Sequence, residues 1–221
     1  MTPMTAAIHI RRMPKQSQNQ NKIEKLPLLL REIRACRICV EAPKGAPLPH
    51  EPRPVLRAST TAKIAVFGQA PGNLVHQSGK PFTDPSGVRL REWMGVSEAE
   101  FYDDTKVAII PMGFCFPGYD AKGGDKPPRK ECAVAWRARL MAAMPNIKTA
   151  ILVGAYAQKW HLGDKARGNL TETVEAWRDF APAYFATPHP SWRNNVWLKK
   201  NPWFEAELLP VLRKKVLMLL R

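Results

Sequence analysis

Four short apolar runs, each ended by a glycine or a proline, constrain the fold of this 221-residue chain more than any other feature. They are AKIAVFG (62–68), KVAIIPMGFC (106–115), IKTAILVG (147–154) and APAYFATPHPS (181–191). Each contains about five or six apolar residues, too few for a typical helix, and segments of helical period separate them. Strands that are apolar throughout are buried on both faces of a parallel sheet. The pattern therefore predicts an α/β fold: a three-layer α/β/α sandwich with a central, mainly parallel four-stranded sheet.

Helices are predicted where apolar residues recur at helical spacing. One has its apolar spacing from Ile23 to Ile33 and delivers Cys36 and Cys39. Another begins at Asp84 or Ser86, and a third covers residues 131–144. The last two lie between predicted strands, as the alternation of an α/β fold requires.

The remaining segments predict a closing helix and two connections. The closing helix covers residues 201–220, with Asn201 as its N-cap and Pro202 in its first turn. The proline-rich residues 42–59 are predicted to form an extended connector, and the glycine-rich residues 118–131 a mobile loop.

The charge of the chain predicts a polyanionic partner. Lys and Arg number 34 against 19 Asp and Glu, so the formal net charge is +15. A positive field of this size favours nucleic acid as the partner. An anionic membrane surface, or solubility alone, is the alternative explanation. No apolar run reaches the roughly 18 residues of a membrane-spanning helix, so no membrane segment is predicted.

One domain is predicted over residues 23–221, preceded by a disordered basic tail over residues 1–22. The tail lacks a secretory signal, but its basic, acid-poor composition also fits a transit peptide for organellar import, or a start codon assigned too early. Because no secretory signal is predicted, the compartment is expected to be reducing and the cysteines to be free of disulfides. A cytoplasmic monomer is predicted.

Three unusual loops leave the carboxyl ends of the predicted strands. Their sequences are GQAPGN (68–73), GFCFPG (113–118) and HPSWRNN (189–195). In open α/β sheets the ligand site lies outside the carboxyl ends of the strands. The three loops are therefore predicted to converge on one cleft.

Two of these loops resemble motifs of the uracil-DNA glycosylase superfamily. GQAPG, from Gly68 to Gly72, is similar to its motif A, and HPS, from His189 to Ser191, to its motif B. Four cysteines follow the spacing of the iron-sulfur branches, families four and five: Cys36, Cys39, Cys115 and Cys132. The resemblance covers residues 30–212.

The resemblance implies a monofunctional DNA glycosylase that starts base excision repair. Such an enzyme flips a uracil or a related damaged base out of DNA and hydrolyses its N-glycosidic bond. The implied partner is DNA with uracil or other deaminated or damaged bases, which in a bacterium would associate the protein with the nucleoid. Motif A contains no lysine, which argues against a Schiff-base lyase.

The resemblance implies catalytic roles for Asp84, His189 and Gln69. The histidine at the position of His189 stabilises the leaving base anion; a histidine that only caps the loop is the alternative. Gln69 and Ala70 replace the motif A carboxylates of other families. Asp84, in KPFTDPSG, stands one residue from the place of the family-five aspartate. It is either a catalytic carboxylate or a helix N-cap, and Gln69 could instead hold the water or the base.

The implied base-binding residues are Gly68, Gln69, Ala70, Phe82 and His189. Phe82 corresponds to the aromatic residue that stacks on the flipped base, and core packing is its alternative role. Pro111 stands where family four has a base-reading asparagine. A range of bases broader than uracil is therefore predicted.

The DNA-facing residues are predicted in motif A and after motif B: Pro71, Gly72, Ser191, Trp192, Arg193, Asn194, Lys199 and Lys200. Trp192 or Arg193 would fill the gap left by a flipped base, and the lysines would contact phosphates. Trp197 and Trp203 are predicted to pack the closing helix. The other histidines are predicted to be surface or tail residues: His9, His50, His76 and His161.

The four cysteines are candidate metal ligands. Cys36 and Cys39 are spaced to bind one metal centre, and Cys115 and Cys132 would complete four thiolates. The resemblance implies a 4Fe-4S cluster with a structural role. Zinc is the alternative metal, and buried free thiols are the alternative without metal.

Motif A and the cysteines also bear on two other functions. Because motif A lacks a carboxylate, a catalytically degenerate DNA-binding module with a glycosylase fold is the alternative function. A metal-dependent nuclease or a redox protein is disfavoured, because the sequence has no carboxylate cluster and cluster-bound thiolates leave no reactive cysteine.

Overall fold

The computed structural model describes residues 25–221, so the tail predicted over residues 1–22 lies outside the described residues. At its centre is a sheet of four parallel strands: β1 (Ile64–Phe67), β2 (Val107–Ile109), β3 (Thr149–Val153) and β4 (Tyr184–Thr187). The strand order is β2-β1-β3-β4. Ile64 of β1 pairs with Val107 on one side and Thr149 on the other. The predicted sheet is confirmed.

The strands are apolar throughout because both faces of the sheet are covered. Every residue of β1, β2 and β3 is buried. Val66 lies between Ile109 and Ile151 in the register of the sheet, so large aliphatic side chains fill its centre. This is the burial that continuous apolar runs indicate.

Helices surround the sheet in the described part of the chain. They are α1 (Leu26–Arg34), α2 (Ile38–Glu41), α3 (Asn73–Ser78), α4 (Pro85–Met94), α5 (Glu98–Phe101), α6 (Lys130–Ala143), α7 (Ala155–Leu162), α8 (Leu170–Glu175), α9 (Asn195–Lys200) and α10 (Leu209–Leu220). None of those within residues 25–221 is long and apolar enough to cross a bilayer.

The helices form two layers on opposite faces of the sheet. The crossover from β1 to β2 runs one way along the sheet and the crossover from β2 to β3 runs the other. Because such crossovers are right-handed, their helices lie on opposite faces. α4 packs against α10 in one layer, and α1 packs against α6 in the other. The three-layer sandwich is confirmed.

The second half of the proline-rich connector is extended, as predicted, and covers the edge of the sheet, whereas residues 42–50 contain several bends. The Val55 N–H donates to Phe114 O at 2.7 Å, and Arg57 exchanges two backbone hydrogen bonds with Ile109. The bridge at Arg57 is antiparallel. It satisfies backbone groups of β2 that an open edge would leave unpaired.

The closing helix differs from its prediction at its N-terminal end. The chain turns as a π-helix over Phe204–Leu208 before α10 begins. Pro210 has no N–H to donate to the preceding turn, which accounts for the wider turn there. Asn201 is not a side-chain N-cap: its amide donates to Trp197 O, and its Oδ1 accepts from Trp203 Nε1. It joins α9 to the closing helix.

The prediction of a surface position is wrong for His161. Its ring stacks on Phe67 of β1 with centroids 4.0 Å apart, and its Nε2 is buried without a hydrogen-bond partner among the described residues. His50 and His76 are half-buried, with ring centroids 4.2 Å apart. These contacts join distant parts of the chain, which periodicity does not reveal. His9 lies outside the described residues.

His161 should make stability depend on pH. Burial holds the pKa of His161 well below 6.5, its value in an unfolded chain. As pH falls through that value, the unfolded chain takes up a proton that the folded chain does not, so stability is lost. His161→Phe keeps a ring on Phe67 and removes the titration.

Urea unfolding at about pH 7.5 and about pH 5.5 measures the effect. Between these conditions the free energy of unfolding should fall by about 1.4 kcal/mol more in the unaltered protein than in His161→Phe. Equal losses in the two proteins would contradict the assignment.

Candidate active site

One cavity, here called the central pocket, lies at the carboxyl ends of the strands. Its lining includes eight predicted site residues: Gly68, Gln69, Ala70, Pro71, Gly72, Phe82, Asp84 and His189. It also includes Val55, Val75, Pro81, Ser86, Ile109, Pro111 and Asp125. The loops after β1 and β4 therefore converge, as the topology predicts. In the loop GFCFPG, Phe114 and Cys115 line a different cavity.

Backbone hydrogen bonds hold motif A by continuing the parallel ladder past the strands. The N–H groups of Met112 and Gly113 donate to the carbonyls of Gly68 and Gln69, both at 2.9 Å. The Gln69 side chain lies over Gly154, where a Cβ would approach its Nε2 to 2.4 Å. Motif A is therefore hydrogen-bonded to the segment after β2, and its Gln69 side chain packs against the segment after β3.

Phe82 has a strained backbone that presents its ring to the pocket. Among residues 25–221 it is the one non-glycine residue with a positive φ, 55°. Such strain costs on the order of 1–3 kcal/mol. Gly87 permits it, since a Cβ there would lie 1.8 Å from Phe82 O. The Tyr102 hydroxyl bonds to the carbonyls of Pro81 and Phe82, and the ring lies against Gly68.

Asp84 stands at the N-cap position of α4, as predicted, but its carboxylate does not cap the helix. No backbone N–H of α4 donates to it. The hydroxyl of buried Ser86 lies 2.7 Å from each of its two oxygens. The N-cap interpretation therefore accounts for the position of Asp84 but not for its carboxylate, which lines the pocket.

His189 follows β4 and is half-buried in the pocket wall. Burial lowers the pKa of His189, the charge of Asp84 opposes this shift, and Arg193 adds to it. The imidazole is therefore neutral at neutral pH, with one N–H to donate. The Asn194 amide donates to His189 O at 2.7 Å and so stabilises the loop that contains them both.

The loop after motif B presents an aromatic and cationic surface. Trp192 is 72% exposed, and the Arg193 guanidinium lies 5.9 Å from its ring centroid. Lys199 and Lys200 are exposed at the end of α9. The Ser191 hydroxyl accepts from the Arg193 N–H at 3.1 Å and so stabilises the loop itself. The tryptophan, the arginine and the lysines are accessible to a partner.

Trp197 and Trp203 pack the closing helix, as predicted. Their ring centroids lie 5.9 Å apart, and both rings meet Phe204 edge-on. Trp197 Nε1 donates to Thr171 Oγ1 at 2.8 Å. The indoles are therefore internal supports of the loop.

The four cysteines line one mostly apolar cavity, here called the cysteine cavity. Cys36 precedes α2, Cys39 lies within it, Cys115 follows β2, and Cys132 lies in α6. None of the four forms a disulfide. The other walls are apolar except for one arginine: Ile38, Leu48, Pro52, Pro54, Phe114, Arg129 and Trp136.

The four cysteines of the cysteine cavity are its candidate metal ligands, because thiolate is a ligand of both zinc and iron-sulfur clusters. Within residues 25–221, however, no three His, Cys, Asp or Glu side chains lie in an arrangement that could hold a metal ion. Burial raises the pKa of Cys115 to about 12 and also raises that of Cys132. These thiols therefore stay protonated at neutral pH unless a cation binds. The Phe114 N–H donates to Cys132 Sγ at 3.3 Å, a bond that also suits a metal-bound sulfur.

Sequence reasoning missed Asp125 and Arg137. Asp125, in the loop before α6, lines the central pocket. Arg137, in α6, is 2% exposed and donates to Ile110 O at 3.2 Å and to Pro111 O at 2.5 Å. No motif marks Asp125. Arg137 could have been noticed, because helical spacing places it on the buried face of α6 with Leu140.

The protein is of the α/β class, and its central pocket lies at the carboxyl edge of a parallel sheet. The pocket combines an aromatic ring, a carboxylate and a histidine. A protein-family model of the uracil DNA glycosylase superfamily matches residues 57–213. The match includes the sheet and both motifs, whereas Cys36 and Cys39 lie before it. The chain belongs to the uracil DNA glycosylase superfamily, so the predicted superfamily is confirmed.

Gly87→Ala should destabilise the protein through Phe82. The new Cβ would overlap the Phe82 carbonyl, so the backbone that holds the ring must shift, at a cost on the order of 1–3 kcal/mol. Val88→Ala, at an exposed neighbour in α4, should change stability by less than about 0.5 kcal/mol. Urea unfolding measures both, and equal stability of the two variants would contradict the role of Gly87.

Proposed function

We propose that this protein is a monofunctional DNA glycosylase that starts base excision repair. It flips a uracil or a related damaged base out of DNA and hydrolyses the N-glycosidic bond. The observation that carries the proposal is the convergence of Asp84, His189 and Phe82 on one pocket in a member of the superfamily.

The sugar side of the reaction requires negative charge. Glycosidic cleavage passes through a sugar with oxocarbenium character, which a fixed anion stabilises. Asp84 is the proposed anion, since its carboxylate lines the pocket. The Ser86 hydroxyl donates to this carboxylate and so orients it.

The base side requires a donor, because the base departs with negative charge. His189 is the proposed donor, through its neutral imidazole N–H to a carbonyl oxygen of the base. The amide of Asn194 supports this role by fixing the backbone of His189. The donor thus stands ready before the substrate enters.

The pocket wall supports a range of bases. The Phe82 ring is the proposed stacking partner of the flipped base. Pro111 has no N–H, and its carbonyl already accepts from Arg137, so it offers little for reading a pyrimidine edge. The proposed groups that hydrogen-bond to the edge of the base are therefore the Gln69 side chain and the backbone of motif A. The proposed substrates therefore include hypoxanthine and xanthine besides uracil.

The loop after motif B is the proposed DNA-binding surface. Trp192 and Arg193 would enter the gap that the flipped base leaves, and Lys199 and Lys200 would contact phosphates. The net charge of +15 favours the association. We propose that the protein works as a monomer in the cytoplasm, at the DNA.

The cysteine cavity is the proposed site of a 4Fe-4S cluster held by Cys36, Cys39, Cys115 and Cys132. When bound, such a cluster would cross-link three segments of the chain by metal–thiolate bonds. Its proposed role is structural: it would fasten α1 and α2 to α6. Zinc is the alternative occupant.

The proposal is tested with oligonucleotides that carry one uracil, hypoxanthine or xanthine, single- and double-stranded, followed by alkaline cleavage of abasic sites. Base release is expected from uracil and from at least one other base. If no base is released at any salt concentration while salt-dependent DNA binding persists, the degenerate DNA-binding module replaces the enzyme.

In the same assay, Asp84→Asn and His189→Ala should each lower the single-turnover rate on the order of a hundredfold, because each group acts mainly in the transition state. Asp164→Asn is the control and should retain the full rate, because Asp164 is exposed, follows α7 and does not line the central pocket. An unchanged rate for Asp84→Asn would contradict the catalytic assignment.

The metal proposal predicts a coloured, iron-containing protein. Purified anaerobically, it should absorb visible light and contain iron and sulfide, and Cys115→Ser should lower the iron content and the thermal midpoint. Elemental analysis and thermal unfolding measure these quantities. A colourless protein with zinc would support the alternative metal, and a fully stable protein with neither element would contradict both.

A further inference from the structure

The central pocket contains a second carboxylate, Asp125, outside the two motifs. It lies between β2 and α6, where its backbone forms an antiparallel bridge with Tyr119. Its side chain lies against motif A: a Cβ on Gly72 would stand 3.3 Å from Asp125 Oδ2. Gly72 therefore allows this carboxylate to approach motif A closely.

The same loop contains a second aspartate with a different use. Asp120 Oδ1 accepts from the backbone N–H groups of Lys122 and Gly124, at 2.8 and 2.9 Å. It thereby forms an ordered turn within the segment predicted to be mobile. The carboxylate of Asp125, in contrast, has no hydrogen bond or ion pair to any residue in 25–221. The fold thus places in the pocket a carboxylate that no residue in 25–221 hydrogen-bonds.

The two pocket carboxylates have different surroundings. Both oxygens of Asp84 lie 2.7 Å from the Ser86 hydroxyl. Those of Asp125 remain open to a ligand or a water molecule. Asp125 is exposed on one side, and its partial burial raises its pKa; the charge of Arg193 opposes this shift, and the charges of Asp84 and Asp120 add to it. Carboxylates in unlike environments take unlike roles in one site.

We propose that Asp125 binds the attacking water and accepts its proton, while Asp84 stabilises the cationic sugar. This inference rests on the proposed glycosylase function. Motif A has Gln69 and Ala70 where other families carry the carboxylate, and among the residues lining the pocket Asp125 is the free carboxylate beside that turn.

Hydrolysis replaces the base on C1′ with a hydroxyl group. The bond from C1′ to the base nitrogen breaks, and its electron pair leaves with the base. The water oxygen forms a bond to C1′, and the water proton passes to Asp125. Asp125 returns that proton to solvent, and the base anion takes up one proton from solvent. The products are an abasic site and a free base.

The test compares Asp125→Ala, Asp125→Asn and the loop control Asp120→Asn on the base that the unaltered protein releases fastest. Single-turnover rates and the dissociation constant for the same DNA are measured. Both Asp125 variants should lose about a hundredfold or more in rate, as for removal of a general base, with the dissociation constant within about threefold. Added formate, a small carboxylate, should restore part of the rate of Asp125→Ala. Asp120→Asn keeps its acceptor oxygen and should stay within a few-fold of full activity.

The outcomes separate this inference from the proposed function. If the unaltered protein is active and Asp125→Ala matches it, the water-binding role is overturned and the glycosylase is not. The role is also overturned if Asp120→Asn loses as much rate as Asp125→Asn, or if formate has no effect, because the loop shape rather than the carboxylate would then matter. If the unaltered protein releases no base, both proposals fail.

Discussion

Two backbone hydrogen bonds, from Met112 to Gly68 and from Gly113 to Gln69, hold the site together. β2 is only three residues long, and these bonds continue its pairing with β1 beyond the strands. Buried backbone groups that lose their partners cost about 1–3 kcal/mol each, so the two segments are bound to one another. Motif A is thereby fixed to the segment that leads on to the cysteine cavity.

Arg137 of α6 stabilises this pairing by binding the segment that follows β2. Its guanidinium donates to the carbonyls of Ile110 and Pro111 and lies 5.1 Å from the ring centroid of Phe67. Burial lowers the pKa of Arg137 to about 10, so it stays charged at neutral pH. Because Cys132 lies in the same helix, the cysteine cavity and the wall of the central pocket share one rigid support.

The sheet, its two helical layers and both motif turns were predictable, because apolar runs and turn residues are local signals. The strained backbone of Phe82 was not, since it depends on the absence of a side chain at Gly87 and on the Tyr102 hydroxyl. The stacking of His161 on Phe67 and the arrival of Asp125 beside Gly72 depend on contacts between segments far apart in sequence. The sequence likewise did not reveal that the Asn194 side chain stabilises its own loop by donating to His189 O.

In the proposed reaction the pocket supplies groups for both halves of the cleavage: carboxylates for the sugar, a neutral histidine for the base and an aromatic ring for stacking. The most direct test of this account is the intact mass of a short DNA that carries one uracil, measured before and after incubation with the protein. The account predicts an unbroken strand that has lost the base and gained the elements of water, with free uracil in equal amount. A broken strand, or a DNA of unchanged mass, would contradict it.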